Sequence, residues 1–135
     1  MKYIRNGLGV FLCLLLFTQT LHVYAFVPQH QVVPYYETEN RAKVSLTFDK
    51  NVAKCVVTVL GEKGTTKISG TVQLYDETAK KSVKTWSISS SSAVCTLSKD
   101  VSVKSGHKYT LSCTAKVYDA NNSSKAADGS ATKTN

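Results

Sequence analysis

The sequence predicts an all-β protein in which two antiparallel sheets pack face to face. From Lys43 onward, apolar and polar residues alternate in short runs, and Val, Ile, Thr and Tyr are frequent within them. Turn-forming Gly, Ser, Asp and Asn separate these runs at near-regular spacing, and both prolines lie before Lys43. Such alternation gives each strand one buried and one solvated face, which two packed sheets satisfy. A small barrel is the alternative.

About seven strands account for the pattern. The clearest run, residues 109–118, places Leu111, Cys113 and Val117 on one side, and we expect that side to face the core. The final run is weak and predicts an edge strand. The predicted strands are residues 43–48, 53–60, 67–75, 83–88, 93–97, 109–118 and 130–134. A continuation of the fifth strand through Val101 and Val103 is the alternative.

Residues 1–25 have the features of a secretory signal peptide. Lys2 and Arg5 make the N-terminal region positively charged, and residues 8–17 are mostly apolar. Small or modest side chains precede a predicted cleavage after Ala25. The apolar run is shorter than the roughly 20 residues that a membrane helix needs. We therefore expect a secreted protein, with a retained anchor helix as the alternative.

The predicted mature chain has two parts and a basic balance. Residues 26–42 contain both prolines and predict an extended lead-in, and residues 43–135 form the predicted sandwich. Without Lys2 and Arg5, 15 of the 17 basic residues remain against 9 acidic residues, a net charge of +6. This net positive charge would attract an anionic cell-wall polymer or an anionic membrane surface. Nucleic acid is not expected as a partner, because the lysines are dispersed without interleaved aromatic residues.

No pattern in the sequence predicts catalysis, a metal or a cofactor. The chain has no nucleophile elbow and no glycine-rich phosphate loop, and His30 and His107 are isolated from other ligand-type residues. Acidic residues fall mainly in predicted turns, where they usually cap the backbone. Asp76 and Glu77 are adjacent on a turn, where neighbouring carboxylates point apart. We therefore predict that the protein is not an enzyme.

Two predicted strands carry polar side chains on their outward positions. If the third and sixth strands are neighbours, these residues form one hydroxyl-rich face that suits a glycan or a protein. The alternatives are an ordinary solvated face or recognition through the loops at 76–82 and 119–129. The face residues are Ser69, Thr71, Gln73 and Tyr75 with Thr110, Ser112, Thr114 and Lys116.

Four short segments carry a family resemblance: residues 53–55 (AKC), 64–71 (GTTKISGT), 84–87 (KTWS) and 106–109 (GHKY). The chain resembles the small exported immunoglobulin-like proteins of Gram-positive bacteria over residues 43–119. The resemblance implies an immunoglobulin-like Greek-key sandwich, an extracellular or envelope setting, and no catalytic residues. The chain departs from the antibody pattern because its Trp86 falls on the fourth strand, whereas the antibody pattern has a Trp on the third strand.

The resemblance also implies roles for a tyrosine and for two of the inward-phased cysteines. Tyr109 looks like a tyrosine corner, whose hydroxyl bonds to the backbone a few residues upstream. In the immunoglobulin arrangement Cys55 and Cys113 would pair across the sandwich, with Cys95 a buried free thiol. Tyr109 precedes Cys113 by four residues instead of two, which weakens this pairing. A Cys55–Cys95 bond and no intramolecular bond are the alternatives.

The predicted function is a secreted, non-catalytic binding or adhesion module for a surface glycan or protein. One alternative is a secreted cationic antagonist, bacteriocin-like or membrane-active, that uses its charge and the segment 26–36. Another is a structural subunit of the cell envelope.

Overall fold

The computed structural model describes residues 39–135, and this part of the chain contains eight β-strands and no helix. The all-β class is confirmed. The predicted signal peptide and nearly all of the predicted lead-in lie outside the described residues. The strands are β1 Arg41–Asp49, β2 Val52–Leu60, β3 Lys67–Asp76, β4 Lys81–Ser90, β5 Val94–Ser102, β6 Lys108–Tyr118, β7 Ser124–Ala126 and β8 Gly129–Thr134.

The strands form two separate antiparallel sheets. One has the order β1-β2-β5, and the other has the order β4-β3-β6-β7, with β8 also paired to β6. Two packed sheets are therefore confirmed, and the barrel alternative is wrong. The immunoglobulin-like Greek-key topology stays a prediction.

The core is built from every second side chain, as the alternation predicts. Leu111, Cys113 and Val117 of β6 are at most 4% exposed, which confirms their inward orientation. Burying an aliphatic side chain of this size contributes about 1.5–3 kcal/mol relative to leaving it exposed. The other strongly buried apolar residues of the central strands are Ala53, Cys55, Val57 and Val59 on β2, Ile68, Val72 and Leu74 on β3, and Tyr109 and Ala115 on β6.

β3 and β6 approach each other closely at Gly70, which lies opposite Ala115. A Cβ atom at Gly70 would lie 2.4 Å from the carbonyl oxygen of Thr114 and 2.7 Å from the Cα atom of Ala115. Since these are backbone atoms, a side chain could fit only if the strands moved apart. The glycine therefore keeps β3 and β6 tightly paired.

The predicted loop at 119–129 is partly wrong, because β7 lies within it. β7 and β8 hold the same register on β6: Ala126 lies opposite Lys116, and Gly129 lies opposite Cys113. Between them, Ala127 is buried and donates its backbone N–H to the carbonyl of Ala115. The Asp128 carboxylate accepts from the backbone N–H of Ala115 at 3.1 Å. The polar composition conceals this pairing, because an edge strand needs few apolar side chains.

Several strand boundaries also differ from the prediction. β1 begins at Arg41, inside the predicted lead-in, and β4 continues to Ser90. β5 runs unbroken past Lys99 and Asp100 to Ser102, which confirms the alternative in which Val101 continues the strand. In each case backbone pairing with the neighbouring strand continues beyond the last buried side chain.

Candidate binding face

β3 and β6 are hydrogen-bonded neighbours, so their predicted polar residues form one continuous surface. None of the eight predicted residues is buried, and all lie on the side of the sheet opposite the core. We call this surface the hydroxyl face. Its residues lie directly opposite one another in four pairs: Ser69 with Lys116, Thr71 with Thr114, Gln73 with Ser112, and Tyr75 with Thr110.

The flanking strands widen this surface with further hydroxyl groups, which the sequence prediction missed. Each added residue lies directly opposite one of the predicted face residues on the neighbouring strand. In the segment 85–89, Ser and Thr alternate with apolar residues, and this pattern indicates a strand with hydroxyl groups on its outer side. The sequence does not show that this strand borders β3. The added residues are Ser82, Thr85, Ser87 and Ser89 on β4 and Ser130 and Thr132 on β8.

Positive charge and one aromatic ring mark one end of the hydroxyl face. Lys67 lies opposite Tyr118, and its Nζ atom is 5.4 Å from the centre of the Tyr118 ring. Such a contact between a cation and an aromatic ring is weakly attractive at an exposed site. Lys116 is exposed on the neighbouring position of β6. Among the strand positions of the described face, none is acidic.

At the opposite end the hydroxyl face opens into a groove of about 300 Å³. The groove lies where the β3–β4 turn meets the start of β6 and the end of β8. Two ammonium groups, one carboxylate and three hydroxyls line it, so its surface is mostly polar. The lining residues are Glu77, Thr78, Lys80, Lys108, Thr110 and Thr132.

Hydrogen bonds between these residues hold the groove in shape. The Thr110 hydroxyl donates to the Glu77 carboxylate at 2.9 Å and contacts the Thr132 hydroxyl at the same distance. The Thr78 hydroxyl accepts from the backbone N–H of Lys108 at 3.0 Å. The other Glu77 oxygen lies 3.7 Å from the Lys80 ammonium group. The β3–β4 turn is therefore tied to β6 by side chains as well as by the backbone.

Asp76, the only buried charged residue in the described part of the chain, supports the groove from the core side. One carboxylate oxygen accepts from the backbone N–H groups of Thr78 and Ala79, at 3.0 and 2.8 Å. The other lies 2.8 Å from Nδ1 of His107. Burial raises the pKa of the Asp76 carboxyl, but the hydrogen bonds from Ala79, His107 and Thr78 and the His107 charge outweigh it. The net pKa lies below the ordinary value of 3.8. Asp76 thus caps the turn and does not face the groove.

Tyr109 links this region to the β5–β6 loop. Its buried ring lies 5.8 Å from the ring of Phe48 and stacks near His107 at 6.2 Å. Its hydroxyl contacts both backbone groups of Lys104, five residues upstream. The residue holds the loop between the two sheets and takes no part in the groove lining.

The predicted disulfide between Cys55 and Cys113 is not formed, because Cys55, Cys95 and Cys113 are all buried free thiols. Cys113 pairs with Gly129, and Gly129 packs against Ala42 and Val44 of β1. Those two β1 residues lie opposite Val59 and Val57 on β2, whereas Cys55 lies opposite Leu46, nearer the β1–β2 turn. Cys55 is therefore offset from Cys113 along the sandwich. The alternative pairing of Cys55 with Cys95 is also absent, since Cys95 lies opposite Val59.

The thiols occupy apolar surroundings that suppress their ionisation. Burial, with a smaller contribution from Asp100, raises the pKa of Cys55 to about 11. Burial raises the pKa of Cys113 to about 11 as well, with smaller contributions from Asp128 and Cys95. Burial also raises the pKa of Cys95. Since the thiolate is the nucleophile and metal ligand, these side chains behave as small core hydrophobes.

The described region is thus a two-sheet antiparallel β-sandwich with a polar, hydroxyl-rich face that ends in a groove. In residues 39–135 no group of three or more His, Cys, Asp or Glu side chains is placed to hold a metal ion. The same residues include no helix with the length and apolarity needed to cross a membrane. The chain matches no protein-family model, no curated protein and no solved structure.

Proposed function

We propose that this protein is a secreted, non-catalytic binding module that recognises a surface glycan through the hydroxyl face. One observation carries the proposal: hydroxyl and amide side chains on β3 and β6 lie in direct register, and those on β4 and β8 extend the rows. Each hydroxyl can both donate and accept a hydrogen bond, as sugar hydroxyls do. A rigid sheet holds these groups in place before binding, which lowers the entropic cost of recognition.

The chemistry of the face favours a glycan over a protein. Protein interfaces usually have an apolar centre enriched in aromatic residues. In the described region the exposed large aliphatic residues are Val56 and Val94, and both belong to the other sheet. The hydroxyl face carries Tyr75 and Tyr118 near opposite ends, with polar side chains between them. Such a surface can bind a polar ligand without burying unpaired apolar area.

The dimensions of the face suit an extended ligand. Lys108 and Lys116 are eight residues apart on β6, which at the usual strand rise corresponds to about 26 Å. A chain of several sugar residues could lie along this length and contact successive side-chain pairs.

The proposed setting is extracellular, as the signal-peptide pattern of residues 1–25 predicts. The immunoglobulin-like character is part of the same proposal. The strand order β1-β2-β5 against β4-β3-β6-β7 supports it, as does the contact between the Tyr109 hydroxyl and Lys104. The relationship to exported proteins of Gram-positive bacteria remains a proposal on the segments that resemble them.

A glycan array probed with the exported protein tests the proposal, followed by calorimetry on the strongest ligand. The variant Thr71→Val with Thr114→Val removes two facing hydroxyls and retains shape and strand propensity. Two lost hydrogen bonds, at about 0.5–1.5 kcal/mol each, should weaken binding by about tenfold.

The matched control is Thr47→Val with Thr96→Val, two exposed positions on the other sheet. It should leave the affinity within about twofold. The proposal is wrong if the array retains no glycan, or if the control pair weakens binding as much as the face pair. Binding only to anionic lipid vesicles would support the membrane-active alternative instead.

A further inference from the structure

The groove differs from the rest of the hydroxyl face because it adds charged groups to the hydroxyls. Lys108 is exposed at its rim, and among the ion pairs of residues 39–135 none involves its ammonium group. Lys80 is also largely exposed, and its 3.7 Å separation from Glu77 is a loose contact. Both ammonium groups remain available to a ligand.

The single carboxylate of the groove is already engaged. One Glu77 oxygen accepts from Thr110, and the other faces Lys80. The Thr78 hydroxyl oxygen accepts from the Lys108 backbone, so its own proton is free for donation. The groove therefore offers a ligand two cationic groups, one hydroxyl donor and the remaining acceptor capacity of a partly neutralised carboxylate.

We infer that this groove binds one acidic sugar residue, carrying a carboxylate or phosphate group, of the glycan that lies along the hydroxyl face. The inference rests on the proposed function and specifies its ligand class. Lys108 and Lys80 contact the acidic group, and the Thr78 hydroxyl donates a hydrogen bond to it. Glu77 accepts from a sugar hydroxyl.

The size and charge of the groove define the ligand further. A volume of about 300 Å³ lies at the lower limit of small-molecule sites, so the groove accommodates a single sugar residue. Its opening onto the hydroxyl face lets the rest of the chain continue over Tyr75 and Thr110. Glu77 disfavours a densely charged polyanion, because a second acidic group placed near it would be repelled. The ligand is thus a glycan with spaced acidic groups.

The test compares three ligands with the same backbone: dextran, carboxymethyl-dextran and dextran phosphate. Binding of the exported protein is measured by calorimetry at low and at physiological salt. The wild-type protein should bind at least one acidic dextran at least tenfold more tightly than plain dextran, with weaker binding at higher salt. The variant Lys80→Gln with Lys108→Gln should lose about fivefold to tenfold for the acidic polymer.

The matched control variant is Lys99→Gln with Lys133→Gln, which removes the same charge from exposed positions off the face. It should lose less than twofold. An equal loss in both variants would show diffuse attraction and overturn the inference, as would binding only to phosphatidylglycerol vesicles. Inorganic phosphate that competes at millimolar concentration would indicate a free-anion site and would also count against an acidic sugar.

Failure of the inference and failure of the proposed function give different results. If a neutral glycan from the array binds through Thr71 and Thr114 and neither acidic dextran binds, the inference fails and the proposed function stands. If no glycan of either kind binds, both fail.

Discussion

The hydroxyl of Tyr109 contacts both backbone groups of Lys104: it accepts from the N–H at 2.9 Å and donates to the carbonyl at 3.3 Å. Because Tyr109 is 1% exposed, water does not readily replace these bonds. The ring packs in the core while its polar tip fixes the β5–β6 loop. This loop precedes Lys108, so the contact also helps to position one rim of the groove.

Tyr109→Phe should lower the free energy of unfolding by about 1–3 kcal/mol, because it removes the hydroxyl and leaves a backbone N–H without its partner. Urea denaturation followed by circular dichroism measures the change. Tyr75→Phe is the control, since Tyr75 lies on the outer face and should change stability by less than about 0.5 kcal/mol. Equal effects of the two substitutions would contradict the proposed role of the contact.

All three cysteines of the described domain should be reduced and unreactive in the native state. Alkylation with iodoacetamide at pH 8 should label them slowly, because burial raises their pKa values. After unfolding without reductant, peptide mapping should find the alkyl group on Cys55, Cys95 and Cys113. A pair of peptides that is alkylated only after reduction would show a disulfide and contradict the free-thiol assignment.

The Asp76–His107 contact should make stability depend on pH in the acid range. The folded state lowers the pKa of Asp76 below 3.8, so the unfolded state binds a proton more readily. Stability from this carboxylate is fully present above about pH 4 and is lost as pH falls through the folded-state pKa. Asp76→Asn should flatten the dependence of the unfolding free energy on pH below 4. Asp100→Asn removes a carboxylate from an exposed position and is the control, and an equal flattening in both variants would contradict the prediction.

Asp128 should stabilise the edge formed by β7 and β8, since its carboxylate receives the Ala115 N–H between the two strands. Asp128→Ala should cost about 1 kcal/mol and increase amide hydrogen exchange at Ala115. Asp128→Asn keeps an acceptor oxygen and should recover most of the loss. If the alanine and asparagine variants have the same stability, the hydrogen bond contributes little.

The local sequence predicts which side of each strand is buried. The alternation through Leu111, Cys113 and Val117 identifies an inward side because a strand has a period of two residues. The same rule placed Thr71 and Thr114 outward. Whether those two residues, 43 positions apart in the chain, face each other depends on the pairing of β3 with β6.

The groove could not be predicted from single segments. Glu77 and Thr78 follow β3, Lys108 and Thr110 begin β6, and Thr132 belongs to the weak final strand. The sequence indicated turns and strand positions for each of them separately. Only the meeting of the turn with two strands places the carboxylate, the hydroxyls and the ammonium groups around one opening.

The amino-acid sequence alone determined that the chain forms strands, which side chains enter the interior, and that Cys55, Cys95 and Cys113 lie on that side. Only the tertiary structure decided how far along the strand direction each residue of one sheet lies relative to the other sheet. This position separates Cys55 from Cys113. The alternation of apolar and polar residues carries no information about this position. If one sheet slides past the other by two residues, every inward side chain still points inward. The packing of Gly129 on β8 against Ala42 and Val44 on β1 fixes how the two sheets are aligned. This contact joins distant parts of the chain.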